Sequence, residues 1–136
     1  MKMTATWAGG MRFVYESGTG HGLLTDAPEA AGGGNTAATP IELLILGLIG
    51  CTGVDVTSIL TKMKEPLEGL SVTAETERAE EHPKVYTKIH LTYLVKGDVN
   101  EKKLERAINL SETRYCSASA MLSRTVEITH EYLIEK

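Results

Sequence analysis

The side chains best equipped for chemistry in this 136-residue chain are its two cysteines, Cys51 and Cys116. In a cytosolic setting such a pair is either inert core filling or redox-active, because free cysteine is among the most buried residue types and thiols there are kept reduced. The two lie far apart and neither belongs to a Cys-x-x-Cys pair. His21, His82, His90 and His130 are scattered without an i, i+4 pair. A structural zinc site needs four closely arranged ligands, so neither a metal nor any other cofactor is expected. His90 and His130 fall on strand faces, where a histidine without chemical duty is the ordinary outcome.

Each cysteine has a neighbourhood that bears on its reactivity. Cys51 sits among Gly47, Gly50 and Gly53. Three glycines in a helix cost roughly 0.8–1 kcal/mol each relative to alanine, which close packing of another backbone would explain. They also leave a thiol uncovered. Cys116 follows Arg114-Tyr115 and precedes Ser117-Ala118-Ser119-Ala120. A helix starting at Ser117 would place Cys116 at its N-terminal end, where the local positive charge favours a thiolate. The alternative is a small residue tucked into a helix junction. Asp55, four residues after Cys51, shares its helix face and would raise the thiol pKa, so it is expected to point to water or a cation. Glu42 lies nine positions before Cys51, about 900° of turn and about 13.5 Å of rise, which puts the two on opposite sides of one helix.

These residues are carried by a readable series of elements. Met3–Trp7 and Met11–Tyr15 have strand composition and are separated by Gly9-Gly10; Gly22–Asp26 returns as a third strand. Residues 27–38, rich in Gly and Ala, are expected to form a loop. Thr39 at the N-cap, Pro40 at the first helical position and Glu42 at the third make a capping box with a favoured proline. From Ile41 to Ile49 the helix is apolar on nearly every side and so must be surrounded by protein; Pro66 ends it. Leu70, Val72, Ala74 and Thr76 alternate as a strand, and Glu80-Glu81-His82-Pro83 turns the chain. Val85, Thr87, Ile89, Leu91, Tyr93 and Val95 alternate next. Asn100 caps a helix with Leu104, Ala107, Ile108 and Leu110 inward. A short helix over Ser117–Ser123 and a strand from Val126 to Ile134 complete an α+β domain spanning residues 1–136.

Composition narrows the function. A formal net charge of −4, and no basic run longer than Lys102-Lys103, give no electrostatic reason for a nucleic-acid partner. Met1–Trp7 has no basic start or apolar core of a secretory signal. The stretch Ile41–Leu60 is interrupted by Gly47, Gly50, Gly53, Asp55 and Ser58, and a charge at mid-depth costs roughly 3 kcal/mol on insertion scales. It is read as a core helix, and the protein as cytoplasmic with no membrane partner.

The segment Thr39-Pro40-Ile41-Glu42-Leu43-Leu44-Ile45-Leu46-Gly47-Leu48-Ile49-Gly50-Cys51 resembles the central-helix signature of the OsmC/Ohr family. Glu81-His82-Pro83, the strand Val85–Val95 with Gly97, Arg106-Ala107-Ile108, Leu110-Ser111 and Tyr115-Cys116-Ser117 continue the resemblance, which runs from about residue 38 to the C-terminus. It implies an intertwined homodimer whose sheets wrap a pair of long buried central helices, with active sites at the subunit interface. It also implies a thiol-dependent peroxidase acting on organic hydroperoxides. Cys51 would be the peroxidatic thiol, Cys116 the resolving one, and a dithiol the reductant. Glu42 would orient an arginine beside Cys51; Arg12, after Gly9-Gly10, takes that place, and Arg78 is the second candidate. A different reading keeps the fold but uses its interface to bind a small apolar ligand.

Overall fold

Short apolar runs punctuated by glycine make a meander of the first 25 residues. β1 (Thr4–Trp7), β2 (Phe13–Glu16) and β3 (Gly22–Thr25) pair antiparallel in that order, with Thr4 opposite Glu16 and Phe13 opposite Thr25. Gly9 and Gly10, at φ 93° and 58°, form the first turn, a conformation that glycine adopts without steric cost. The computed structural model describes residues 1–136, which form two compact units, Met1–Ile45 and Leu46–Lys136. In the first unit the loop after β3 is gathered around Asp26. Its carboxylate accepts from the Ala27 N–H (2.7 Å), the Gly34 N–H (3.5 Å), and both the N–H (3.0 Å) and hydroxyl (2.6 Å) of Thr36.

The long helix α1 (Glu42–Lys62) begins in the first unit and continues through the second. The capping box is half realised: the Glu42 carboxylate accepts from the Thr39 N–H at 3.2 Å, while the lead-in turn is closed by i to i+3 bonds such as Glu42 N–H to the Thr39 carbonyl at 3.1 Å. At the other end the helix stops before Pro66 is reached. Lys64 takes a left-handed φ of 60°, with Lys64 N–H bonded to Thr61 O and Glu65 N–H to Leu60 O, each at 3.0 Å. That is a Schellman termination on a lysine in place of the usual glycine.

The second unit is built on β4 (Gly69–Arg78), β5 (Tyr86–Lys96) and β6 (Glu127–Glu135), in that order. β4 and β5 are antiparallel. β5 and β6 are parallel, with Tyr93 beside Tyr132, and parallel strands need a crossover. Three helical pieces supply it: α2 (Glu101–Leu110), a π-helical turn over Ser111–Tyr115, and α3 (Ser117–Leu122). Asn100 caps α2 by accepting from the Lys103 N–H at 3.0 Å, as its sequence required. The α+β class read from the sequence is the one the chain adopts.

Ile89, Leu91, Tyr93 and Val95 of β5, Leu48, Val56 and Leu60 of α1, and Leu104 and Ile108 of α2 are all fully buried. Burial of each aliphatic member contributes about 1.5–3 kcal/mol relative to exposure. The expected alternation along β5 holds only from Ile89 onward. Pairing jumps from Glu77–Lys88 to Arg78–Tyr86, so Thr87 is the extra residue of a β-bulge. The phase flips there, leaving Tyr86 buried and Val85 half exposed.

One expectation is not met inside a single chain. The apolar helix was read as covered on all sides, yet Leu44, Leu46 and Val54 are 50%, 48% and 69% exposed. The glycines do not receive a packed backbone either. A methyl group built on Gly47 or Gly50 would touch nothing, and on Gly53 it would meet only the Val72 side chain at 3.8 Å. One chain covers one side of α1, the side carrying Leu48, Thr52, Val56 and Leu60.

Candidate active site

The side of α1 that is covered also carries the polar chemistry. Cys51 is half-buried in the middle of the helix, Thr52 beside it is fully buried, and Asp55 lies one turn on. Cys116 comes from the crossover, at the N-cap of α3, and is 2% exposed. The π-helical turn makes this placement possible. Cys116 N–H reaches back five residues to the Ser111 carbonyl at 2.7 Å, so the turn carries one more residue than an α-helical turn would, as π-bulges at functional sites often do. Cys51, Cys116 and Asp55 thereby converge: one donor atom from each, the two sulfurs and a carboxylate oxygen, lie within 4.8 Å of one another. Both cysteines are free thiols.

Their environments differ. Burial pushes the Cys116 thiol up to about 11, with the neighbouring Cys51 and the Asp55 charge pushing the same way. The N-cap position opposes this: the Ser119 N–H donates to Cys116 Sγ at 3.3 Å. The helix-end effect expected to favour a thiolate at Cys116 is therefore present but loses to desolvation. Arg114 stacks 5.7 Å over the Tyr115 ring. Asp55 departs from expectation as well. It faces the sulfurs, accepts from the Ser111 hydroxyl at 2.9 Å, and makes no ion pair.

Behind these groups runs a buried hydroxyl chain. Tyr93 and Thr52 are 2.7 Å apart, Thr52 and Ser111 3.0 Å, and Tyr93 lies 3.4 Å from a Glu112 oxygen. The other Glu112 oxygen meets His130 Nδ1 at 2.9 Å. Three hydroxyl protons serve four contacts, counting Ser111 to Asp55. The longest, Tyr93 to Glu112, is the weakest. Tyr93 donates to Glu112 and Ser111 to Asp55, and the single Thr52 proton serves its contacts with the Tyr93 and Ser111 oxygens. Burial, with the Glu112 charge, holds the Tyr93 phenol well above its ordinary value, so it stays a neutral donor.

Of the residues singled out in the sequence, the fold brings Cys51 and Cys116 together. Glu42 and Arg12 belong to the unit of residues 1–45. There Glu42 caps the Thr39 N–H, and Arg12 is exposed at the Gly9–Gly10 turn with its guanidinium beside Gly9. Arg78 donates from Nε to the Lys84 carbonyl at 2.8 Å and lies 5.5 Å over the Tyr86 ring, so it is engaged at the β4–β5 turn. Sequence reasoning missed Thr52, Tyr93, Ser111 and Glu112. Thr52 left a trace, as a hydroxyl on the buried side of an apolar helix; Ser111 was named only within a motif, although seven residues after Leu104 and four after Ala107 it continues the buried face of α2. Arg106, too, was noticed only as part of a motif. With Lys62, Leu110 and Tyr115 it lines a cavity of about 550 Å³ that Asp55 borders.

Known proteins share this arrangement of elements. The chain is 36% identical over 133 residues to Protein YhfA of Escherichia coli K12, covering 97% of this chain and 96% of that protein. A crystal structure of a hypothetical protein from Aquifex aeolicus VF5 superposes with a TM-score of 0.82 at 29% identity, covering 99% of this chain and 97% of that one. An organic hydroperoxide resistance protein OsmC from Legionella pneumophila shares the fold, with a TM-score of 0.72 at 20% identity over 100% and 98% of the two chains. The family model described as OsmC-like protein matches residues 32–131, a span holding α1, both cysteines, β4, β5 and the first part of β6. By that match and by the relative at 36% identity, the chain belongs to the OsmC-like protein family.

Proposed function

We propose that the chain is a cytoplasmic thiol-dependent peroxidase that reduces organic hydroperoxides through a Cys51–Cys116 cycle. One observation carries this reading: two free thiols 65 positions apart in sequence converge to within 4.8 Å. The asymmetry between them assigns the roles. Half-buried Cys51 meets the peroxide, and buried Cys116, whose proton burial retains, resolves the product. Cys51 sulfur attacks the terminal oxygen, the O–O bond breaks, and the alcohol leaves with a proton, giving Cys51 sulfenic acid. The Cys116 thiol then displaces water to form the disulfide, and an external dithiol restores both thiols. Glu42 and Arg12 complete the catalytic set on the strength of the family pattern.

The working unit in this reading is a homodimer. The exposed apolar side of α1 and its unpacked Gly47 and Gly50 support it, since a second copy would cover what one chain leaves open. A second reading has an observation of its own. Leu46, Ile49, Val54, Leu70 and Val72 line an apolar groove of about 640 Å³ along α1, of a size to take a small apolar ligand.

Thiol count and intact mass, before and after one equivalent of an organic hydroperoxide, test the first reading. The expected result is loss of both thiols with a mass decrease of two hydrogens, abolished by Cys51→Ser. Two free thiols surviving that treatment would reject the peroxidase, and a copurifying apolar ligand seen by native mass spectrometry would then favour the second.

A further inference from the structure

The carboxylate beside the thiols invites a second use of the same side chains. Cys51 and Asp55 are four residues apart on one side of α1, and Cys116 comes in from the N-cap of α3. Two sulfurs and one carboxylate oxygen within 4.8 Å form a donor set suited to a borderline-soft divalent ion. Tetrahedral zinc, with bonds near 2.3 Å to sulfur and 2.0–2.2 Å to oxygen, separates its ligand atoms by about 3.5–3.8 Å. The three atoms need draw together by only about 1 Å. Two of the three are held by outer hydrogen bonds of the kind that orient metal ligands: Ser111 donates to Asp55, and the Ser119 N–H to Cys116.

Charge points the same way. With both thiols ionised, Cys51, Cys116 and Asp55 would gather three negative charges, and no ion pair reaches Asp55. A carboxylate facing a pair of thiols opposes thiolate formation. A divalent cation at their centre removes that conflict. The expectation of no metal rested on ligand spacing along the sequence, which the crossover makes irrelevant.

We infer that Cys51, Cys116 and Asp55 form a three-ligand site for a zinc-class divalent cation, its fourth position left to water, and that a bound cation and the Cys51–Cys116 disulfide exclude each other. The second clause rests on the peroxidase reading; the first does not. Oxidation of the bound form is balanced: two metal-bound thiolates, one hydroperoxide and two protons give the disulfide, an alcohol, water and the freed cation.

The test uses tag-free, reduced, chelator-stripped protein titrated with Co²⁺ and then with Zn²⁺. One equivalent per chain is expected, with a thiolate-to-cobalt charge-transfer band that Zn²⁺ displaces and both thiols shielded from a thiol reagent. Asp55→Asn, which keeps both cysteines, should weaken zinc binding about tenfold or more. It keeps the test decisive should Cys51→Ser or Cys116→Ser fail to fold. Absence of the charge-transfer band, or zinc affinity unchanged in Asp55→Asn, would overturn the site. Zinc-loaded protein given one equivalent of hydroperoxide should release zinc as the disulfide forms, and disulfide formation with zinc retained would overturn the exclusion. Metal-free protein that forms the disulfide but takes up no zinc refutes this inference alone. Zinc uptake without any peroxide-driven disulfide refutes the peroxidase alone.

Discussion

Each unit of the molecule has an aspartate at its organising point, and the two are treated in opposite ways. Asp26 is 1% exposed and saturated with donors: three backbone N–H groups and the Thr36 hydroxyl. Those bonds, Thr36 first, hold its carboxyl down at about 2. Asp55 accepts from Ser111 and otherwise confronts two sulfurs, where its charge makes a neighbouring thiol harder to ionise. A carboxylate that only closes a loop is surrounded by groups that want it charged. One left short of donors beside reactive groups stores an electrostatic conflict, and such conflicts collect where chemistry is done.

The comparison breaks first if the Asp26 clasp is not what holds the 27–36 loop. Asp26→Ala removes the acceptor for all four bonds at once. Hydrogen exchange should show the amides of residues 27, 34 and 36 losing about tenfold or more in protection, while amides of β5 are unchanged. Equal protection in variant and parent would mean the loop is held by its turns alone.

Next in size is the hydroxyl chain behind Asp55. Thr52→Val keeps the shape but removes the group that links Tyr93 to Ser111, both buried. Each keeps another partner, Glu112 and Asp55, so the loss is that of a hydrogen bond, about 0.5–1.5 kcal/mol, to be read from urea unfolding. A cost below about 0.5 kcal/mol would show that the neighbours rearrange freely, and that Asp55 is not positioned through this chain.

How far the sequence foretold these two sites differs for a physical reason. The elements were legible because caps, glycines and alternation are local: Asn100, the Gly9–Gly10 turn and the β5 stripe from Ile89 to Val95 appear where their neighbours dictate. Where a long-range fact intervened, the reading slipped. The Thr87 bulge reversed the phase at Tyr86, and nothing local announced the π-helical turn over Ser111–Tyr115. Asp55 was correctly placed on the face of Cys51, but its partners come from the crossover 56 residues later, so its direction could not be derived from helix geometry. The reactive pair was legible through its resemblance to a family, whereas the donors around it were not.

Acid titration separates the aspartates further. Because the folded Asp26 carboxyl lies at about 2, below its ordinary 3.8, its charged form is favoured by folding. That contribution is complete above pH about 4 and is lost as pH falls toward 2. Parent protein should therefore lose stability over that window, and Asp26→Asn should flatten this part of the curve. The check is the pH dependence of the urea midpoint between pH 2 and 5, and an identical acid limb in both proteins would count against the clasp.

The smallest effect tests the conflict at Asp55 directly. Asp55→Asn keeps a side chain of the same shape, with an oxygen still able to accept from Ser111, and removes only the charge. The Cys116 thiol stands at about 11, raised chiefly by burial and further by Cys51 and Asp55. Removing one of the lesser causes must move it down, toward but not to its ordinary value, since the burial remains. The thiolate fraction at fixed alkaline pH, followed by ultraviolet absorbance in a Cys51→Ser background, should rise several-fold. A fall would contradict the direction in which that charge acts on Cys116, and no change would mean that the Asp55 charge is already offset by a bound cation. In that case the contrast with Asp26 would lie in what Asp55 binds and not in the charge it carries.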